Sequence, residues 1–488
     1  MTTTQTAGRR EWIGLAVLAL PALLASLELT VTHLALPSIG RALHASSAQL
    51  LWIVDVYAFL LAGSLIAMGA LGDRIGRRKL LMFGALAYGV LSVVAAYAPD
   101  AETLIVVRAL LGVAGSTLMP SVLALAVAMF RDPRQRTVAV GIIIASVSGG
   151  TAIGPLVGGW LLGSFWWGSV FLLAVPVMVL LMALGPLLLP EHRAATAGPL
   201  DVTSAVLSLA TVLPVVYGLK QIAADGLTWS SVLAVVAGLG FGAVFVRRQH
   251  TLADPMIDLR LFTNRTFSTA AATLALGIFV LWGTNYGVAQ YLQLVRGFDP
   301  LTAGLWTAPS AIGVIAGSLS ATRIVRRVRA EHVIGAGLLL SAAGFVVLTQ
   351  VGVAGSLAVL VTGTVVVSAG LGPMMALATD MVVAAAPPER AGAASAISST
   401  APQLGGGLGI AVLGSVITAV YRSEMAPETA QLPGPAADTL GAAVALPAAP
   451  DVLDAARAAF THGFAITAVI SAVLMATTAA LVLALARR

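Results

Sequence analysis

Apolar runs of about 18–25 residues recur along the chain, each long enough to cross a bilayer as a helix. Fourteen are read, at roughly 12–36, 50–71, 80–98, 103–127, 137–162, 168–189, 203–220, 229–246, 268–292, 302–322, 332–350, 356–384, 392–418 and 461–486. A sequence that is 58% hydrophobic and 10% charged, with a mean hydropathy of +0.96, is excluded from the soluble globular class. The expected fold class is therefore all-α integral membrane, with fourteen transmembrane helices.

Charge placement orients those helices. With both termini in the cytoplasm, only Arg41, Lys220, Arg296, Arg422 and Arg457 of the 27 Lys and Arg fall on outer loops. Arg108 alone lies within a span, and the rest sit on inner segments, as the positive-inside rule requires. The net charge of +6 thus reflects membrane orientation, and nucleic acid is not an expected partner. Zero cysteines exclude disulfides, thiolate metal sites and cysteine catalysis. Arg9-Arg10 before an apolar run has the look of a secretion signal. That run is too long, carries Glu28 and leads into further spans, so it is read as the first permanent helix. The sizeable exposed segment is an outer loop at about 421–459, with Glu424, Glu428, Asp438, Asp451 and Asp454. A short amphipathic helix is expected near Asp451–Phe460, and the loop is too small for a catalytic domain.

The second and third runs are joined by Gly69-Ala-Leu-Gly-Asp-Arg-Ile-Gly-Arg-Arg-Lys79, a hinge short enough to force two helices side by side. Asp73 can accept hydrogen bonds from a helix N-terminus or an arginine; Gly69, Gly72 and Gly76 admit close backbone approach; Arg74, Arg77 and Arg78 supply charge. The pattern G-x-L-x-D-R-x-G-R-R/K resembles the loop between helices two and three of the major facilitator superfamily. Arg323, Arg326, Arg327 and Arg329 form a degenerate second copy after the tenth run, without an equivalent of Asp73. In the fifth run, Gly149-Gly-Thr-Ala-Ile-Gly-Pro-Leu-Val-Gly-Gly159 places Gly150, Gly154 and Gly158 on one helix face, where they permit tight packing. Pro155 can kink the span, and Gly159 completes a segment similar to the G-x-x-x-G-P-x-x-G-G antiporter motif of that superfamily. Gly405, Gly406, Gly407 and Gly409 of the thirteenth run are read as packing glycines.

A charge at mid-bilayer costs about 2.5–3.5 kcal/mol on insertion scales, so each one needs a reason. The acids within spans are Glu28, Asp55 and Asp380, and Arg108 is the single cation. Glu28 stands in Leu27-Glu-Leu-Thr-Val-Thr-His-Leu-Ala-Leu-Pro37, which resembles the first-helix L-D-x-T-V-V-N-V-A-L-P motif of the fourteen-span drug:proton antiporter branch, with Glu for Asp and His33 for Asn. His33 lies roughly 140° around the helix from Glu28, which favours packing or hydrogen bonding over a proton relay. Asp55, in Trp52-Ile-Val-Asp-Val-Tyr57, matches a similar acid in the branch or is an interfacial acid reaching water. Arg108 and Gly112, in Leu104-Ile-Val-Val-Arg-Ala-Leu-Leu-Gly-Val-Ala-Gly115, resemble the R-x-x-x-G motif of the fourth helix. An always-charged guanidinium changes the proton affinity of a neighbouring carboxylate, or else pairs with Glu28 or a backbone carbonyl for purely structural ends. Asp380 is either a further proton site or an acid that snorkels to the cytoplasm.

The resemblance covers nearly the whole chain and implies two six-helix bundles, 12–189 and 268–486. A cytoplasmic tail at 1–11 precedes them, and an inserted helix pair with its loops, 190–267, lies between. It implies a bacterial cytoplasmic-membrane carrier, an alternating-access exporter of lipophilic, mostly cationic compounds in exchange for protons, needing no cofactor and working as a monomer. Glu28, Asp55, Arg108 and Asp380 would couple protons. Aromatic faces suit flat cations, and Glu28, Tyr57, Phe279, Trp282, Asn285, Tyr286, Trp306 and Gln403 are the candidate substrate contacts, the aromatic ones equally placed for lipid or the interface. Several relatives carry glutamates where Ser398-Ser-Thr-Ala-Pro-Gln-Leu-Gly405 has Ser399 and Gln403, which disfavours dications. A dedicated exporter of one natural product is the alternative; a nutrient importer, a channel and a membrane-embedded enzyme find less support, and no Gly-x-x-x-x-Gly-Lys-Ser/Thr loop for ATP occurs.

Overall fold

The computed structural model describes residues 7–130, 132–191, 201–225, 227–252, 255, 257–386, 391–426, 439–445 and 450–486. Glu428 and Asp438 of the acidic loop, and the side chains of Asp73 and Ser399, lie outside the described residues. Among the described residues the chain is helical, without strands. The first half contains α1 (Arg9–Leu43), α2 (Ser47–Ile75), α3 (Arg77–Ala96), α4 (Ala101–Gly115), α5 (Leu118–Met129), α6 (Pro133–Ser164), α7 (Ser169–Leu172) and α8 (Ala174–Leu188). An inserted pair follows, α9 (Val202–Asp225) and α10 (Trp229–Thr251). The second half has α11 (Arg265–Gln290), α12 (Pro300–Ile324), α13 (Ala330–Leu348), α14 (Leu357–Ala384), α15 (Ala391–Met425), the short α16 (Leu440–Ala445) and α17 (Pro450–Ala486).

Among the described residues, twelve spans are long and apolar enough to cross a membrane, α4–α5 and α7–α8 each counting once. Helices α6 and α12, of 32 and 25 residues, occupy the places of the fifth and tenth apolar runs. The fourth run differs from its expected single span. It breaks at Ser116–Thr117, because Pro120 offers no N–H to the Ser116 carbonyl and the two hydroxyls turn back onto Val113 and Ala114 carbonyls at 2.7 Å. The separate amphipathic helix expected near Asp451–Phe460 is also absent, since those residues form the first turns of the continuous 37-residue α17.

Local signals set the helix ends. Ser46 and Gln49 cap α2 reciprocally, Asp100 accepts from Thr103 N at 2.7 Å to start α4, and Asp299 with Pro300 starts α12. Gly76 alone joins α2 to α3, at φ 113°, a conformation that a side chain would strain. The end of the molecule carrying Arg74, Arg77, Arg78 and Lys79 is called the basic end.

Packing gives two cores. Apolar side chains of α1–α8 form one, around Leu27, Tyr88, Phe130 and Phe171; those of α11–α17 form the other, around Phe267, Tyr291, Phe345 and Phe464. The halves meet along two seams, α6 against α12 and α2 against α15. Helix α9 lies across the second seam, where Phe59 of α2, Val216 of α9 and Ala411 of α15 pack together. At the basic end the inserted pair is stapled by Arg248 Nη2 to Asp201 Oδ1 at 3.0 Å and by Gln249 Nε2 donating to Ser204 Oγ at 2.7 Å.

Candidate functional site

Glu28 sits near the middle of α1, and α1 is buried on every face from Val31 to Pro37. Helix α4 brings Arg108 to it. Arg108 Nη1 donates to Glu28 Oε1 at 2.6 Å, and Nε donates to the Ile53 carbonyl of α2 at 2.9 Å. The guanidinium lies over the Tyr57 ring, 4.2 Å from its centroid, with the Phe171 ring 5.7 Å away. Tyr57 Oη in turn lies 3.4 Å from Tyr88 Oη. Arg108 is 0% exposed and Glu28 4%, so the pair is removed from solvent and lipid alike. Such a pair is not satisfied by one hydrogen bond: Glu28 Oε2 and Arg108 Nη2 are buried without a partner.

Gly112 makes this approach possible. A Cβ there would stand 2.5 Å from the Tyr57 carbonyl, so α4 can rest directly on the α2 backbone only with glycine. The fifth-span glycines act on the other side of α1. Cβ atoms at Gly150, Gly154 and Gly158 would meet Leu23 O at 2.2 Å, Thr30 at 2.9 Å and Val31 at 3.0 Å. Gly159 and Pro155 point elsewhere, to Leu301 and Gly304 of α12. One segment therefore clamps the Glu28 helix with one face and forms a seam between the halves with the next. Gly150→Ala is expected to sharply lower the yield of folded protein, because its methyl would collide with helix backbone that cannot rotate away; size-exclusion profiles and thermal unfolding in detergent check this, and a wild-type profile would exclude the contact.

His33 is buried, near enough to Arg108 to feel its charge, and its Nε2 has no partner. Its angle of roughly 140° from Glu28 favours packing or hydrogen bonding over a proton relay, and burial of the whole α1 surface keeps it within reach of the Arg108 charge all the same. Asp55 is fully buried in α2, within electrostatic reach of Tyr286 on α11. Asp380, by contrast, is exposed near the end of α14 and apart from this cluster.

The candidate substrate contacts scatter more widely. Tyr57 is 1% exposed and serves as the floor under Arg108. Trp282 rests on Gly406 of α15 and touches both cores; Phe279 packs its backbone on Gly409; Gln403 is half-buried. Asn285 is exposed on α11, and Trp306 is exposed on α12. Helix α11 is extended by a π-helical turn, Tyr291–Val295, from which Gln293 Nε2 donates to the Leu34 carbonyl of α1 at 2.9 Å. Counting down both helices from that contact puts Glu28 about 9 Å and Asn285 about 12 Å deeper, at closely similar heights. Away from the basic end, a cavity of about 460 Å³ is lined by Arg41, Gln49, Tyr286, Gln290 and Tyr421, with α16 residues at its edge.

At the basic end, Arg78 binds α8 and its continuation: its backbone N–H donates to Glu191 Oε1 at 3.1 Å and Nη1 to the Leu189 carbonyl at 3.0 Å. A Cβ at Gly76 would meet Glu191 Oε1 at 2.3 Å. Gly72 packs on Arg77, whereas Gly69 faces open space; Arg74 is exposed. Glu191 was not singled out from sequence, since an acid just past an apolar run looks like ordinary loop polarity.

The profile of the Major Facilitator Superfamily matches residues 18–410. The chain belongs to that superfamily. It is 43% identical over 482 residues to the multidrug efflux pump LfrA of Mycolicibacterium smegmatis, covering 97% of this chain and 96% of that protein. It is 35% identical over 489 residues to the methyl viologen resistance protein SmvA of Salmonella typhimurium, covering 96% and 97%. Among solved structures, a bacterial homolog of the human lysosomal transporter Spinster, inward-facing and unoccupied, aligns with a TM-score of 0.67 at 18% identity over 98% of each chain. That likeness is one of fold. Within the superfamily frame, α1–α8 and α11–α17 are the two bundles, and the protein is a multi-pass membrane transporter.

Proposed function

We propose that this protein is a proton-driven multidrug exporter of the bacterial cytoplasmic membrane, with the basic end and both termini in the cytoplasm. The observation that carries the reading is the buried Glu28–Arg108 pair, whose second carboxylate oxygen has no partner, in a chain 43% identical to a multidrug efflux pump. Glu28 Oε2 is the atom available to take a proton. Neutralising it loosens the 2.6 Å contact with Arg108, and the guanidinium then relies on Ile53 O and the Tyr57 face. That exchange of partners links protonation to the packing of α1, α2 and α4. Bundles 12–189 and 268–486 would rock about the α6–α12 and α2–α15 seams, with 190–267 riding on the second.

In this reading the conformation described is closed on the outside, supported by Gln293–Leu34, Gly159–Leu301 and Leu51–Gly414 contacts toward that end. Lipophilic cations would bind between α1 and α11 at the height of Glu28 and Asn285, competing with the proton for the same carboxylate, and leave through the 460 Å³ outer cavity. Asp55, behind Tyr286, would be a second acid on the outer route, and Asp380 an inner-surface acid. The protein works as a carrier without a catalytic step or cofactor, as a monomer.

A dye-efflux and susceptibility panel in a pump-deficient bacterium tests the reading. Expression should protect against monocationic dyes and quaternary ammonium compounds, and a protonophore should erase that protection. Protection against methyl viologen should be weaker, because Ser399 and Gln403 stand where acids would pair a second positive charge. Protection that survives uncoupling would overturn proton drive.

A further inference from the structure

We propose that the second bundle carries a binding site for a phosphate group at the basic end, separate from the Glu28–Arg108 site. A cavity of about 320 Å³ opens between the first turns of α11 and α13 and the last turns of α14 and α17. Arg265, the first residue of α11, and Arg329, the residue preceding α13, stand at its rim. Hydroxyl-bearing Thr266, Thr269 and Thr273 line one wall, and the helical rise from Arg265 to Thr273 makes that wall about 12 Å deep. Met381 and Val482 supply an apolar wall opposite.

Helices α11 and α13 begin at this cavity and α14 and α17 end at it, so the helix dipoles offset one another there and the positive charge comes from the arginines. Asn264 Oδ1 already accepts from the first N–H groups of α11, Thr266 N at 3.0 Å and Phe267 N at 3.4 Å. No side chain caps the first N–H groups of α13. Glu331 is the single acid among the lining residues; its Oε1 is 3.5 Å from Arg329 Nη2 and offsets one guanidinium. Arg265 has no ion-pair partner among the described residues, so the cavity keeps a net positive charge.

Two guanidiniums, the uncapped N-terminus of α13 and the Thr266 and Thr269 hydroxyls offer donors to several oxygens at once, which is the chemistry of phosphate recognition. The apolar wall suits the glycerol and upper acyl portion of an anionic phospholipid, and basic pockets between helices at one membrane face are where such headgroups dock. Soluble phosphate would satisfy the same donors from the aqueous side. The cavity lies wholly within the second bundle, whereas Glu28 and Arg108 belong to the first. Loss of the phosphate site and loss of proton coupling are therefore separable.

The test uses the full-length protein purified in detergent and titrated with phosphatidylglycerol, inorganic phosphate or phosphate-free diacylglycerol, read by native mass spectrometry and thermal unfolding. One equivalent of phosphatidylglycerol, of phosphate, or of each in competition should bind and raise the unfolding temperature, while diacylglycerol should not. Binding of phosphatidylglycerol alone assigns the site to lipid; displacement by inorganic phosphate assigns it to the soluble anion. The R265Q/R329Q variant should weaken binding by about tenfold or more, and E28Q should leave it unchanged. If the double variant is poorly folded, R265Q alone carries the comparison, since that side chain holds no ion pair among the described residues. No binding beyond diacylglycerol, or undiminished binding to the arginine variants, would overturn the assignment.

Discussion

Glu28→Gln is expected to abolish proton-driven dye efflux in everted vesicles and to weaken the binding of cationic dyes, while the protein still inserts into the membrane. Glutamine has nearly the shape of glutamate and can still accept from Arg108, but it neither takes nor releases a proton between pH 5 and 8. Removing one charge of a buried pair leaves the other uncompensated, a cost of about 3–5 kcal/mol where no relaxation occurs. The retained hydrogen bond to the amide oxygen should hold the loss below that figure. Glu28→Asp keeps the proton but shortens the reach by one methylene, so the 2.6 Å contact lengthens and transport should fall without vanishing. Full efflux by the glutamine variant would remove Glu28 from the coupling role.

Arg108→Met should be more damaging to the fold than to any single transport step. The guanidinium is 0% exposed, donates to Glu28 and to the Ile53 carbonyl, and fills the space over Tyr57. Its loss leaves Glu28 ionised in an apolar interior, or protonated and unable to cycle. The unfolding temperature should drop steeply and transport should cease. The double variant E28Q/R108M removes both charges and is expected to regain most of the lost stability with no return of transport, because an apolar replacement of a whole buried pair is often neutral or stabilising. If the double variant is no more stable than R108M, the pair is not the main source of the penalty, and packing over Tyr57 and Phe171 takes its place.

The parts of this protein legible in the sequence are those written in local chemistry. Apolar runs of bilayer length gave the helices, and the spaced glycines at 150, 154 and 158 marked a face built for contact. Where a local signal was overridden, the reason is equally local once the neighbours are known. The fourth run reads as continuous because Pro120 falls among apolar residues, yet it leaves the Ser116 carbonyl without a donor, the Ser116 and Thr117 hydroxyls turn back onto the Val113 and Ala114 carbonyls, and the helix breaks. The segment Asp451–Phe460 reads as amphipathic because its acids interrupt the pattern, yet it continues into the last span.

The candidate site was only half legible. A mid-span Glu and a mid-span Arg each announce themselves by their cost, but 80 residues separate them, and no spacing rule says that Arg108 reaches Glu28 rather than Asp55. Glu191 carries no signal of its own, being an acid just beyond an apolar stretch, whereas His33 stands out in the first-helix motif and reads as a packing or hydrogen-bonding side chain by its angle from Glu28. Tyr57 looked like a cavity aromatic and lies instead beneath a guanidinium, because α4 approaches α2 at Gly112 closely enough to cover it.

By itself the sequence determined that the chain is a bundle of membrane helices and which few charges lie within its apolar runs. Those properties follow from transfer free energies that each residue has in any fold. Tertiary structure decided which charge meets which, that one glycine segment serves both α1 and α12, and that α9 covers one seam and leaves the other bare. Such pairings arise from helix surfaces fitted together across long stretches of chain, and that complementarity belongs to the assembled surfaces and to no residue alone.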